Sequence, residues 1–369
     1  LNRGGVASNQ VALTWRAVGA ATGRTVRLEV SLDDGATWPV LVATGIPAEL
    51  GGVIWNSSGP SSPLARWRVV DEAEPAVAAT SELAFVLKNG PIHYSVNDES
   101  PSHDVYTDAP GNSANSGISR TYPKRWISEI LETYNLEPGD VIYVDTGLYQ
   151  ASGPTVIGDL DAGDPDQDPA RQVNVVGSTN ALAGGSRYRL AGSVNAGFHL
   201  DGTHGIRFQH LNVSGPSNGL YVDESYFIGT DQVNVQGCFN GVSAVGASSN
   251  LNLSHSVFAE NENAAIAFNC ELYGAVDVGS CVLWSNVYGI YLENGFVRTS
   301  NNVFGMVRPR SYGMYVRADA PIMGFQGDYN CLYVAQPNPA AGALQTGILS
   351  TARTSVYATV SAWEIGRAS

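Results

Sequence analysis

The stretch FHLDGTHGIRFQHLNVSGPSNG, residues 198–219, is followed by LYVDESYFIGTDQVNVQGCFNG, residues 220–241, and apolar positions fall under apolar positions. Four further blocks begin at Val242, Ile266, Ile290 and Met314. The first column of the six reads Phe198, Leu220, Val242, Ile266, Ile290 and Met314; the third reads Leu200, Val222, Ala244, Phe268, Leu292 and Val316. Alternate residues of a strand share a face, so both columns point the same way. A repeat of about 20–25 residues that keeps such columns in register predicts a parallel β-helix, each rung stacked about 4.8 Å above the last.

A second strand recurs inside the blocks as Val233-Asn-Val235, Leu251-Asn-Leu253 and Val276-Asp-Val278. Five residues on from its first apolar position stand Cys238, Ser256, Cys281 and Asn302, continued by Asn330. Small polar residues at a shared bend predict a hydrogen-bonded ladder up the stack. On this reading Cys238 and Cys281 are two rungs apart, beyond the roughly 7 Å Cα separation a disulfide allows.

Outward from the repeat, residues 1–92 show period-two runs such as Val11, Leu13, Trp15 and Val26, Leu28, Val30, punctuated by Gly, Pro and Asp. Six or seven short strands at this spacing predict a β-sandwich of the immunoglobulin or fibronectin kind. Ser31 to Trp38 fits the pattern S-x-D-x-G-x-T-W and resembles an Asp-box, a β-hairpin device of extracellular β-proteins; its Asp and Gly are expected to build the turn. Between the regions, Ile127, Ile130, Leu131 and Tyr134 predict an amphipathic helix over about residues 123–136. Its place before the first rung suits a cap over exposed strand edges.

The segment from Asp104 to Tyr149 includes Asp104-Val-Tyr106, Gly111-Asn112, Asn115-Ser-Gly117, Pro138-Gly139-Asp140 and Tyr143-Val-Asp145-Thr-Gly147-Leu-Tyr149. It resembles the start of right-handed parallel β-helix domains of the pectate-lyase-like superfamily, in the form found in large bacterial surface and secreted proteins. The resemblance implies an all-β chain: an N-terminal sandwich (1–92), then a right-handed parallel β-helix (93–369) with a capping helix and regular coils over about 198–342. The superfamily is functionally mixed, so no single reaction follows from it.

The chain has 369 residues and a formal net charge of −14, with Lys88 and Lys124 its two lysines. No basic stripe is available for nucleic acid. No apolar run reaches the roughly 18–20 residues that span a bilayer. The four cysteines form no metal-binding spacing. Leu1 as first residue suggests a piece of a longer protein, with both ends open to extension.

Three sets of residues carry possible chemistry. Asp201 and Asp223 share the fourth column with Val245, Asn269, Glu293 and Arg317, and neighbouring rungs would make them a carboxylate pair for glycoside cleavage; otherwise the column is a solvated rim with Glu293 and Arg317 paired. The outward second column, His199, Tyr221, Ser243, Ala267, Tyr291 and Tyr315, offers aromatic rings for sugar stacking at His199, Tyr221, Tyr291 and Tyr315. Asp159, Asp161, Asp164, Asp166 and Asp168 offer oxygen ligands suited to Ca²⁺, although Pro165 interrupts the loop and no downstream Glu completes an EF-hand pattern. The leading expectation is an extracellular structural or adhesive module of a bacterial surface protein, assembling with copies of itself into a fibre or layer. The alternatives are a secreted polysaccharide lyase or glycoside hydrolase acting on acidic glycans, and a non-catalytic glycan-binding domain.

Overall fold

In the computed structural model, the first column, from Phe198 to Met314, and the third, from Leu200 to Leu292, are buried inside a coil of stacked rungs. The structure describes residues 6–18, 23–164, 168, 170–190, 195–215, 217–271, 274–316, 323–335, 347–351 and 356–357. The chain divides into two compact units, Leu1–Ile92 and His93–Ser369.

In the first unit, a sheet ordered Val6–Ala7, Phe85–Leu87, Ser62–Asp71, Thr25–Ser31, Val40–Pro47, with Ala78–Thr80 on the side of Ser62–Asp71, shares one core with the pair Gln10–Thr14 and Gly52–Asn56. Leu13, Leu28, Val30, Phe85 and Leu87 are among its most buried side chains, each worth about 1.5–3 kcal/mol of transfer free energy. The Asp-box closes the hairpin between Thr25–Ser31 and Val40–Pro47. Asp33 accepts from Thr37 N at 2.8 Å and Thr37 Oγ1 at 2.6 Å, and Ser31 Oγ accepts from Gly35 N at 2.8 Å. Trp38 lies beneath the Arg68 guanidinium, 4.2 Å from its ring centroid.

In the second unit each rung gives one strand to each of three parallel sheets. Sheet I runs from Thr155–Ile157 through Ala196–Asp201, Asn218–Asp223, Asn240–Gly246 and Ala264–Cys270 to Tyr312–Val316 and Gly347–Thr351. Sheet II runs from His93–Val96 and Val141–Val144 to Met323–Asp328. Sheet III runs from Gly147–Ala151 and Ser186–Leu190 to Cys331–Val334. The strand Tyr288–Ser300 turns the corner between sheets I and II without a break and serves both. Parallel pairing begins at residue 93, ahead of the regular blocks, because the loops at 158–172 and 178–185 lengthen the early rungs without disturbing their register.

The polar ladder is real but doubled. Val233-Asn-Val235 belongs to sheet III, whereas Leu251–Ser254 and Ala275–Gly279 belong to sheet II, whose strand in that earlier rung is Tyr226–Asp231. Cys238 therefore leaves the column assigned from sequence. At the corner from sheet II to III stand Val233, Ser256, Cys281, Asn302 and Asn330, with Cys281 N on Asn302 Oδ1 at 2.8 Å and Asn302 N on Asn330 Oδ1 at 3.1 Å. At the corner from sheet III to I stand Cys238, Asn261 and Asn286, again joined backbone to amide at 3.0 Å per step. The residues before the later sheet II–III corners, among them His210, Gln232, His255 and Ser280, are left-handed, these four with φ between 46° and 55°. That conformation is strained for these side chains and is held by the stacked rungs around it.

The helix, α1, spans Ile127–Thr133, shorter at both ends than its apolar spacing suggests. Residue 124 is already committed: Lys124 N donates to Ser95 O and Lys124 O accepts from Asn97 N, both at 2.9 Å. At the other end Tyr134 is extended and its hydroxyl donates to Ser116 O at 2.8 Å. Glu129 reaches back to accept from Arg125 N and Trp126 N, and Ile127 and Ile130 are buried. α1 packs on Thr155–Ile157, the first strand of sheet I.

Buried Asp145 explains the motif between 104 and 149. Its carboxylate accepts from the backbone N–H groups of Val105, Tyr106, Thr107 and Thr146 and from Thr107 Oγ1, all at 2.7–2.9 Å. Gly147 and Gly111 are required by close approach: a Cβ would lie 2.3 Å from Asp98 Oδ2 and 1.8 Å from Asn97 O respectively.

Candidate functional site

Two consecutive strands of sheet I, Ala196–Asp201 and Asn218–Asp223, pair His199 with Tyr221 and Asp201 with Asp223. Phe198, Leu200, Leu220 and Val222 fill the core between them, so alternation turns all four partners outward. The His199 and Tyr221 rings lie 5.1 Å apart at 60°. His199 Nε2 is buried without a hydrogen-bond partner. The Tyr221 hydroxyl is pushed above its usual value, first by burial and then by the charge of Asp223. Neither Asp201 nor Asp223 has a hydrogen-bonding or ion-pair partner for its carboxylate among the described residues. Asp223 leans toward the next rung, where a Cβ at Gly246 would lie 3.1 Å from its Oδ1. The structure thus brings the sequence-derived carboxylates into one patch with half of the sequence-derived aromatics. A proton donor, a proton acceptor and a ring face stand within two rungs.

Farther along the fourth column Val245 and Asn269 keep their places, and the departure comes at the next rung. A bulge between Phe268 and Asn269 pairs Asn269 with Asn294, so Glu293 is the extra residue and leaves the column. Arg317, its expected partner, lies outside the described residues.

Tyr291 and Tyr315 stand farther along sheet I, stacked 5.3 Å apart at 3°. Tyr288 and Tyr312 join them, 5.9 Å apart at 15°, and Tyr288 lies 5.1 Å from Tyr315. The sequence signal for this quartet is Tyr-Gly-Ile-Tyr at 288–291 repeated as Tyr-Gly-Met-Tyr at 312–315; starting the blocks at Ile290 hid it. Gly289 makes room, since a Cβ there would lie 2.4 Å from Gly313 O. Burial is the main cause raising the Tyr288 hydroxyl, with its three ring neighbours contributing.

The acidic loop is spent differently. Asp161 is buried, accepts from Leu136 N at 3.0 Å, and is pushed up to about 6 by that burial. Asp164 pairs with Arg171, Asp168 accepts from Ala170 N at 3.0 Å, and Asp159 is exposed. Asp166 lies outside the described residues. Among the described residues no group of three or more His, Cys, Asp or Glu side chains converges to hold a metal ion. Asp161 and Asp164 are thus each already engaged by a donor of the chain itself.

No protein-family model and no curated protein matches this chain. Among solved structures it is similar to pectate lyase Pel9A, at 14% identity and a TM-score of 0.50 over 71% of this chain and 69% of that one. It is also similar to an alginate lyase from Paenibacillus sp. str. FPU-7, at 13% identity and a TM-score of 0.39 over 61% of this chain and 96% of that one. A rhamnogalacturonan lyase aligns at 9% identity and a TM-score of 0.35 over 70% and 85%. Likeness at these identities concerns the fold. The chain has an all-β architecture, an N-terminal β-sandwich followed by a parallel β-helix. The fold of that β-helix is similar to the fold of pectate lyase Pel9A.

Proposed function

We propose that this protein engages a polysaccharide on the outer face of sheet I and cleaves it at Asp201 and Asp223. The observation that carries the reading is the coincidence, on two paired strands, of two uncommitted carboxylates with His199 and Tyr221. Glycoside hydrolysis needs one carboxylic acid to protonate the leaving oxygen and a second carboxylate to attack the anomeric carbon or to activate water. Neighbouring strands are about 4.8 Å apart, close to the roughly 5–5.5 Å of enzymes that retain anomeric configuration and short of the spacing that leaves room for water. Tyr221 and His199 would flank the sugar ring. A polymeric substrate also argues for an extracellular site of action, since such polymers do not enter cells.

The test is incubation with acidic and neutral polysaccharides, following new reducing ends and the ultraviolet absorbance of unsaturated products. Asp201→Ala and Asp223→Ala should each lower release by at least about 100-fold. Wild-type protein that cuts no polymer in a broad panel would overturn cleavage.

A non-catalytic structural or adhesive module is the second reading. The tyrosine quartet at 288–315 favours it, since these rings form a rigid contact surface with no carboxylate partner of their own in the register. Assembly of copies through exposed strand edges belongs to that reading and predicts concentration-dependent growth in light scattering.

A further inference from the structure

The outer face of sheet III carries a second set of polar and aromatic groups, and register places them in a line. One outward column reads Gln150, Arg189, Ser214, Gln236, Ala259, Trp284, Gly305 and Tyr333; beside it run Arg187, Asn212 and Asn234. Arg187 and Arg189 are exposed, two residues apart on one strand, with Tyr188 between them anchored in the core. Their guanidinium groups have no hydrogen-bond or ion-pair partner among the described residues. Elsewhere in this unit Arg207 holds Asp231 at 2.9 Å, Arg125 holds Glu99 at 2.9 Å and Arg298 grips Asp277 with two of its nitrogens. The two arginines open on a shallow cleft bounded on its far side by Gln236 and Glu260.

Beyond Glu260 the character changes. Trp284 and Tyr333 come from strands two rungs apart, yet their rings stack 5.6 Å apart at 10°. Gly305 makes this possible: a Cβ there would lie 2.1 Å from the indole. Both rings remain in contact with solvent, at 38% and 50% exposure. Arg189 and Trp284 are four rungs apart, about 19 Å.

We infer that sheet III is a binding track for an acidic oligosaccharide, its sugar carboxylates held by Arg187 and Arg189 and a sugar ring farther along held by Trp284 and Tyr333. The inference rests on the polysaccharide reading above and gives it a substrate class. A guanidinium presents a planar fork that matches a carboxylate bidentately, and aromatic faces bind the apolar faces of sugar rings. Ser214 and Gln236 lie between the two and supply donors and acceptors for hydroxyl groups, while Asn212 and Asn234 are engaged with Gly184 O and with each other. Extended polyphosphate is disfavoured by a chain of net charge −14, whereas a uronate carries a single charge per sugar and meets a local basic patch.

The experiment is calorimetric titration of the full chain with a galacturonate hexamer and, separately, an uncharged glucose hexamer. The variants are R187A/R189A, W284A and, on sheet I, Y221A, with thermal midpoints recorded for each. The galacturonate hexamer should bind wild type, at least tenfold more weakly to R187A/R189A and several-fold more weakly to W284A, with the midpoints unchanged. Binding unaltered in R187A/R189A and W284A but lost in Y221A would overturn the sheet III track and leave the sheet I reading standing. Equal binding of the glucose hexamer would overturn carboxylate recognition while leaving polysaccharide binding intact. Binding of neither would remove both.

Discussion

The corners of the solenoid and its outer faces use polar side chains for opposite purposes. At the II–III and III–I corners the ladder amides are committed: Asn302 accepts from Cys281 N and donates to Val278 O and Asn330 Oδ1, and Asn286 caps the backbone of Asn261 while donating to Phe258 O. On the faces Asp201, Asp223, Arg187 and Arg189 hold no such partners. Charged groups left without partners on a rigid scaffold keep their interaction free energy for a ligand, and that contrast separates scaffold from candidate site here more sharply than residue type does.

The contrast breaks most visibly at Asp145. Replacing it by Ala leaves five donors without their acceptor, three of them buried, and the solenoid should lose about 3–5 kcal/mol, read as a lowered denaturant midpoint with a collapse of the cooperative transition. A loss below about 1 kcal/mol would mean that water reaches the site. Asn302→Ala should cost about 2–3 kcal/mol by orphaning Cys281 N and Val278 O, whereas Asp223→Ala on the face should stay within about 0.5 kcal/mol in the same denaturation.

Asp161 sharpens the comparison, because it is a buried carboxyl whose burial outweighs its hydrogen bonds. Its folded-state value of about 6 lies above the ordinary 3.8, so between these pH values the folded chain holds a proton that the unfolded chain has released. Stability should therefore fall as pH rises from about 4 to 6 and stay lower above that range. Asp161→Asn keeps an acceptor for Leu136 N, and should flatten this slope and raise stability at pH 7.5 by about 1–3 kcal/mol. A variant with an unchanged slope would show that other groups set it.

The smallest effect is chemical. Burial pushes the thiols of Cys238 and Cys270 up to about 12 and that of Cys281 up to about 11, while Cys331 is exposed on sheet III. A thiol reagent at pH 8 should modify one cysteine per folded chain and four after denaturation. Rapid reaction of a second thiol in the native protein would mean that a corner opens.

Much of this was readable in one dimension. The columns from Phe198 to Met314 announce stacked rungs because the block lengths, though unequal, return each apolar residue to the same place. Ser31 to Trp38 announces its turn because all of its partners lie within four residues. The ladder slipped at Val233 because strands of sheets II and III in one rung carry the same apolar-polar-apolar triplet, and the left-handed residue between them is His, Gln, Ser, Asn or Tyr, without a recognisable type. Glu293 slipped because a bulge has no sequence signature. The helix ends were drawn in by Lys124 and Tyr134 bonding to segments distant in the chain.

The pattern of residues along the chain was enough to establish an all-β molecule of sandwich and solenoid, since periodic burial is a local property that repeats. Which carboxylates are spent and which are free was decided only by folding. Asp145 and Asp223 are alike in isolation, and a carboxylate acquires its role from donors that arrive from 40 residues away or do not arrive at all. The line from Arg189 to Trp284 likewise exists only once five strands have paired, because register between rungs is a property of the stack.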